Sequence, residues 1–112
     1  MSTRHCLMLD LIDDPSLIAQ YEAHHAAVWP EVLAHLRAQG VLGMEIFRLG
    51  SRLCMIMETD DAIYDATAAA AAALADPVIG EWEALMWRFQ APTPWMPAGE
   101  KWVPAARIFA LG

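Results

Sequence analysis

Tyr21 and His25 stand four residues apart in a stretch of helical character, so their Cβ atoms lie one above the other, roughly 5–6 Å apart. Two such side chains can act on one ligand. An imidazole, with a reference pKa of about 6.5, exchanges protons in both directions near neutrality, and a phenol beside it can orient a polar group or shuttle a proton. Trp29 continues the spacing, although Pro30 breaks the helical periodicity there. A Tyr/His/Trp stripe belongs to a core more often than to a site, so other residues must decide.

The remaining residue types narrow the chemistry. His24 points about 100° away from His25 and reads as a surface residue. His5, His24, His25 and His35 have no metal-binding spacing and no accompanying thiolate pair, which argues against metal catalysis. Gly-rich phosphate loops and nucleophile elbows are also missing from the chain. General acid–base work on a small neutral molecule is what is left.

Five tryptophans, Trp29, Trp82, Trp87, Trp95 and Trp102, offer flat faces that match the C–H faces of a sugar ring, with Trp87 and Trp95 reading rather as core anchors. Glu45, Glu81 and Glu83 are carboxylates in apolar runs, where either a site role or an ion pair with Arg48 or Arg88 would account for them. Cys6 and Cys54 lie in apolar stretches and read as buried reduced thiols without chemistry.

The elements that must position these residues form one unit over 1–112, since 112 residues suit one domain and not two. His5 to Ile12 reads as a first strand. Asp14-Pro15 supplies a capping carboxylate and an N1 proline for a helix to about Val28, with a second piece from Glu31 to Gln39 closed by Gly40. Val41 to Leu49 and Arg52 to Glu58 form a hairpin about Gly50-Ser51. Thr59-Asp60-Asp61 reads as the cap of an alanine-rich helix through Ala75, and Asp76-Pro77 restarts a helix to about Phe89. The proline-rich stretch Ala91 to Pro104 reads as extended chain lying over something, and Ala105 to Leu111 as a last short strand.

The order β-α-β-β-α-β is that of the split ferredoxin-like α+β unit, which keeps its helices on one sheet face. An apolar share of 57% in so small a chain points to a homo-oligomer covering the other face. A net charge of −7 without a basic cluster argues against nucleic acid. The lack of an apolar run of about 20 residues argues against a membrane span, and the opening residues lead into a strand rather than a secretion signal, so a soluble cytoplasmic protein is expected.

The run from Tyr21 through His25, Val28, Trp29, Pro30 and Glu31 resembles the Tyr-x3-His-x3-Trp-Pro-Glu signature of the L-rhamnose mutarotase family. The likeness continues through Gly40, the hairpin Met44 to Glu58, the Trp82 helix and Arg107-Ile108-Phe109, nearly the whole chain in order. It implies a homodimeric α/β-barrel of ferredoxin-like subunits, cofactor-free, that interconverts the α and β anomers of a 6-deoxy monosaccharide. By the same resemblance His25 matches the proton donor and Tyr21 a sugar-contacting residue. Met44, Trp82 and Glu83 fall at further sugar contacts; for a ring-opening mechanism we read Glu83 as the partner base, with Trp29 and Trp82 walling the ring.

Rhamnose-acting members tend to carry Tyr where Met44 stands and Trp-Trp where Trp82-Glu83 stands, and the text around Met44 and Glu83 looks like the L-fucose branch. That favours L-fucose over L-rhamnose. Ala105-Ala106 departs from the bulkier or polar residues common before the last strand. Dimeric barrels of this kind also host cofactor-free and haem-using monooxygenases, and a non-catalytic sugar-binding protein would share the Trp lining, so these stand as alternatives.

Overall fold

A computed structural model describes residues 1–97 and 101–112. Strand β1 (Ser2–Leu11) is followed by helices α1 (Pro15–Ala26) and α2 (Pro30–Ala38), then the hairpin β2 (Val41–Leu49) and β3 (Arg52–Asp60). Helices α3 (Ala66–Ala75) and α4 (Pro77–Trp87) precede two short strands, β4 (Gln90–Ala91) and β5 (Val103–Pro104). The antiparallel sheet runs β2-β3-β1-β4, with β5 also paired to β1. Because β3 accompanies β1 from Ser2 to Asp10, β4 and β5 share the opposite edge of β1. This is the expected split α+β arrangement, with its last strand broken in two.

Local chemistry explains the helix starts. The Asp14 carboxylate accepts from the N–H groups of Ser16 and Leu17 with Pro15 in the first turn, and Asp76 does the same for Val78 and Ile79 beside Pro77. The break between α1 and α2 falls at Trp29, whose ψ of 135° places it outside the helix before Pro30.

Helix α3 starts later than expected. β1 begins at Ser2 rather than His5, and its added residues pair with β3 as far as Asp60, so Thr59 and Asp60 belong to the strand. The cap is Asp65, which accepts from the Ala68 N–H. Gly40 makes the neighbouring crossing possible: its φ is +92°, and an added Cβ would meet Ile63 Cβ and Tyr64 N at 3.0 Å.

The strands bury alternate residues. Leu9 and Leu11 of β1 and Leu53, Met55 and Met57 of β3 are buried, and Leu11 and Leu53 pack with Tyr21, Val32, Ile79, Trp82, Met86 and Phe89 from the helical side. The opposite face carries Cys6, Cys54, Ile56 and Phe47, half-buried or exposed. The two thiols are free, with Sγ atoms 3.6 Å apart, and are half-buried rather than buried as expected. Burial and the adjoining Cys6 push the Cys54 thiol above its ordinary pKa, which keeps it protonated and weakly reactive.

Three expectations are corrected. Ala105 to Leu111 forms no strand: the pairing with β1 ends at Pro104 and one further bond, from the Ala105 N–H to the Cys6 carbonyl. Beyond it Ile108, Phe109 and Leu111 are 97%, 76% and 93% exposed. Trp87 and Trp95 are exposed rather than core anchors; Trp87 turns away from the buried Trp82–Met86 side of α4, and each supports a cation, Lys101 and Arg52 respectively. Finally, Glu45 and Glu81 are exposed and Arg48 pairs with Glu22 instead, while Arg88 lies over the Phe89 ring.

The stretch Ala91 to Pro104, expected to be extended, is described except at 98–100, which lie outside the described residues. No helix among the described residues is long and apolar enough to cross a membrane.

Candidate active site

Helix α1 presents Tyr21 and His25 toward the sheet as their four-residue spacing predicts, with ring centroids 4.4 Å apart. Tyr21 is only 3% exposed, and His25 is half-buried just above it. His24 is also half-buried, 5.5 Å from the Phe89 ring, rather than on the open surface.

The histidine's tautomer follows from its contact. Nδ1 lies 2.9 Å from the Tyr21 carbonyl, an acceptor only, so that nitrogen carries the proton and the neutral ring keeps its lone pair on Nε2. Tyr21 adds a stable hydroxyl. Burial pushes its pKa above the ordinary phenol value, the Gln90 hydrogen bond opposes that shift and the negative charge of Glu83 adds to it, so the O–H persists through neutral pH.

Trp82 of α4 completes the aromatic surface, its ring edge-on to His25 at 5.8 Å and to Trp29 at 5.1 Å. Glu83, the next residue, pairs with Lys101 Nζ at 2.6 Å. Of the two readings open for Glu83, a site role or an ion pair with Arg48 or Arg88, the structure shows an ion pair, but with the chain's sole lysine. Lys101 also lies 4.9 Å above the Trp87 ring, which ties the strand β5 approach to α4.

These side chains surround a cavity of about 430 Å³, inside the ~300–1,000 Å³ range of small-molecule sites. Tyr21, His25, Met44, Trp82 and Glu83 all line it. Trp29 does not; it backs Trp82 from behind. A second hollow of about 320 Å³, with Glu22 and Arg48 at its rim, shares Tyr21, His25 and Ile46 with the first, so His25 stands where the two meet.

Sequence reasoning missed Gln90 and Lys101, which also line the larger cavity, as does Trp102 among the tryptophans read as possible sugar platforms. Gln90 reaches it because β4 pairs Gln90 with Leu11, and its Nε2 donates to the Tyr21 hydroxyl at 3.3 Å. No local signal marks that contact across 69 residues. Lys101 had a weak one, as the only cation in a proline-rich stretch. Among the described residues no group of three or more His, Cys, Asp or Glu side chains is placed to hold a metal ion.

The chain is 54% identical over 110 residues to an L-fucose mutarotase of Xanthomonas campestris pv. campestris, covering 96% of this chain and 87% of that protein. A UPF0734 protein of Dictyostelium discoideum is 33% identical over 106 residues, 92% of this chain and 85% of its own length. The crystal structure of an L-rhamnose mutarotase from Formosa agariphila superposes with a TM-score of 0.69 at 16% identity, covering 98% of this chain and 99% of the other, and thereby shares the fold. The family model for L-rhamnose mutarotase matches residues 4–111, so the chain belongs to the L-rhamnose mutarotase family and is a sugar-anomer isomerase.

Proposed function

We propose that this enzyme interconverts the α and β anomers of a 6-deoxy-L-sugar, L-fucose in preference to L-rhamnose, with His25 as the proton-exchanging residue. The observation that carries the reading is the Nδ1 contact with the Tyr21 carbonyl, which leaves Nε2 for the ligand at a cavity walled by Trp82. The L-fucose preference is supported by the 54% identical relative and by Met44 and Glu83 on the cavity wall.

In ring opening, the O1–H bond breaks as Nε2 takes the proton, the C1–O5 bond cleaves to give C1=O1, and Nε2 hands a proton to O5. Rotation about C1–C2 turns the aldehyde over. O5 then attacks the other face, its proton returns to Nε2, and O1 is reprotonated, so His25 ends unchanged and no redox step occurs. Tyr21 holds the sugar, Trp82 packs on its ring with Trp29 behind, and Met44 adds apolar contact. Glu83, held by Lys101, accepts from a hydroxyl directed at it and is the candidate partner base. Acid–base assistance typically supplies roughly 10²–10⁴-fold, useful on a reaction that already runs in water.

Saturation-transfer NMR on the anomeric protons tests this. Faster exchange with the wild type and its loss in folded His25→Ala is the expected result; binding without faster exchange in the wild type would favour a sugar-binding protein instead.

The functional unit is residues 1–112 as a homodimer. Support comes from the uncovered sheet face around Cys6, Cys54, Ile56 and Phe47, and from the exposed Ile108, Phe109 and Leu111 beyond Ala105. Sedimentation equilibrium at micromolar concentration is expected to return twice the 12.4 kDa chain mass. A monomer would contradict it.

A further inference from the structure

Gln90 is 6% exposed, and its two amide ends have different fates. Nε2 donates to the Tyr21 hydroxyl at 3.3 Å, while Oε1 is buried without a hydrogen-bond partner. Leaving a buried acceptor unpaired is costly, and buried side-chain polar groups seldom go without a partner. Gln90 lines the larger cavity with Tyr21, and its backbone is fixed by the pairing of β4 with Leu11. Gln90 thus stands on a rigid wall of the site with one amide end buried and unpaired.

The hydroxyl beside it is complementary. Because Tyr21 accepts from Gln90, its own proton is left for a different acceptor. One neighbouring pair thus offers one donor, the Tyr21 O–H, and one acceptor, the Gln90 carbonyl. A sugar hydroxyl both donates and accepts, and it satisfies the two together. Turning the amide end over end would give the Tyr21 proton to Oε1 and leave an NH2 facing the ligand, which a sugar hydroxyl also satisfies.

We propose that Gln90 is a specificity-determining residue that, with Tyr21, holds one non-reacting hydroxyl of the sugar; this rests on the reading of the cavity as a monosaccharide site. Its role is positioning. Proton exchange stays with His25, so loss of Gln90 raises KM more than it lowers kcat.

The test compares catalysed anomer exchange of L-fucose with that of its 2-deoxy, 3-deoxy and 4-deoxy derivatives in the wild type, Gln90→Met and Gln90→Asn. Met keeps the length of the side chain without its polar ends, and Asn withdraws the amide by one methylene. In the wild type one deoxy sugar is expected to lose about 10- to 100-fold in kcat/KM, because its absence leaves the Gln90 acceptor unpaired. Both variants are expected to lose a similar factor on L-fucose, mainly through KM, and to treat that deoxy sugar nearly as they treat L-fucose. Unchanged discrimination among the four sugars in either folded variant would overturn the proposal, and so would equal rates for all four with the wild type. A wild type that fails to accelerate exchange of L-fucose at all removes the function beneath the proposal, a result seen without any substitution and so distinguishable from failure of Gln90 alone.

Discussion

Leu53 and Ile56 lie three residues apart in one strand and face opposite sides of the sheet. Leu53 is 1% exposed beneath the helices, among the residues that frame His25 and Tyr21, whereas Ile56 stands half-buried beside Cys6 and Cys54 on the uncovered face. The two faces obey the same alternation, but only one has been given a second layer by this chain. The proposed chemistry therefore falls on the covered face, where fixed packing can hold a tautomer and a hydroxyl in place. The open face is the one the proposed homodimer would cover.

Substitutions can break this contrast. The largest loss of stability is expected for Trp82→Ala, about 3–5 kcal/mol, since a 6% exposed side chain supporting both Trp29 and His25 is removed; denaturant unfolding and anomer exchange should fall together. Leu53→Ala follows at about 2–5 kcal/mol, with a cavity opened under the site.

Ile56→Ala should cost less than Leu53→Ala in the isolated subunit and instead weaken subunit association, seen as a melting temperature that depends more steeply on protein concentration. Equal losses at the two positions, with no concentration dependence, would erase the distinction between the faces. The smallest effect is expected at Lys101→Met: its ion pair with the half-exposed Glu83 contributes at most about 1 kcal/mol to stability, while freeing the carboxylate should alter the ratio of L-fucose to L-rhamnose turnover.

Alkaline titration sharpens the same contrast from the covered side. The folded-state pKa of Tyr21 is raised by burial, so its contribution to stability is fully present below the ordinary phenol value of about 10 and is lost as pH rises through the folded value. Exchange activity that depends on the Tyr21 O–H is accordingly expected to hold to at least pH 9. Tyr21→Phe should abolish the high-pH loss of stability assigned to this group, as followed by denaturant midpoints from pH 8 to 11.

Much of the covered face was legible because its signals are local. Asp14-Pro15 and Asp76-Pro77 place both helix starts within a few residues, and the i, i+4 relation puts Tyr21 beside His25 without tertiary knowledge. The family likeness was needed to turn that stripe from possible core into a site. Gln90 was illegible, since it meets Tyr21 only through a strand pairing that joins distant parts of the chain. Thr59-Asp60-Asp61 misled for a related reason: a sound local cap lost to the long pairing of β1 with β3. The tail failed differently: Arg107 to Leu111 has strand-like residues, yet its pairing with β1 stops at Pro104 although β1 from Ser2 to His5 pairs only with β3.

The central claim is that Nε2 of His25 carries the anomeric proton. It is tested most directly by measuring α–β exchange of L-fucose by saturation transfer with wild type and His25→Ala at equal concentration, after near-UV circular dichroism shows both folded. The account predicts a loss of roughly 10²–10⁴-fold in catalysed exchange with sugar binding largely kept. Undiminished exchange in the folded variant would contradict it.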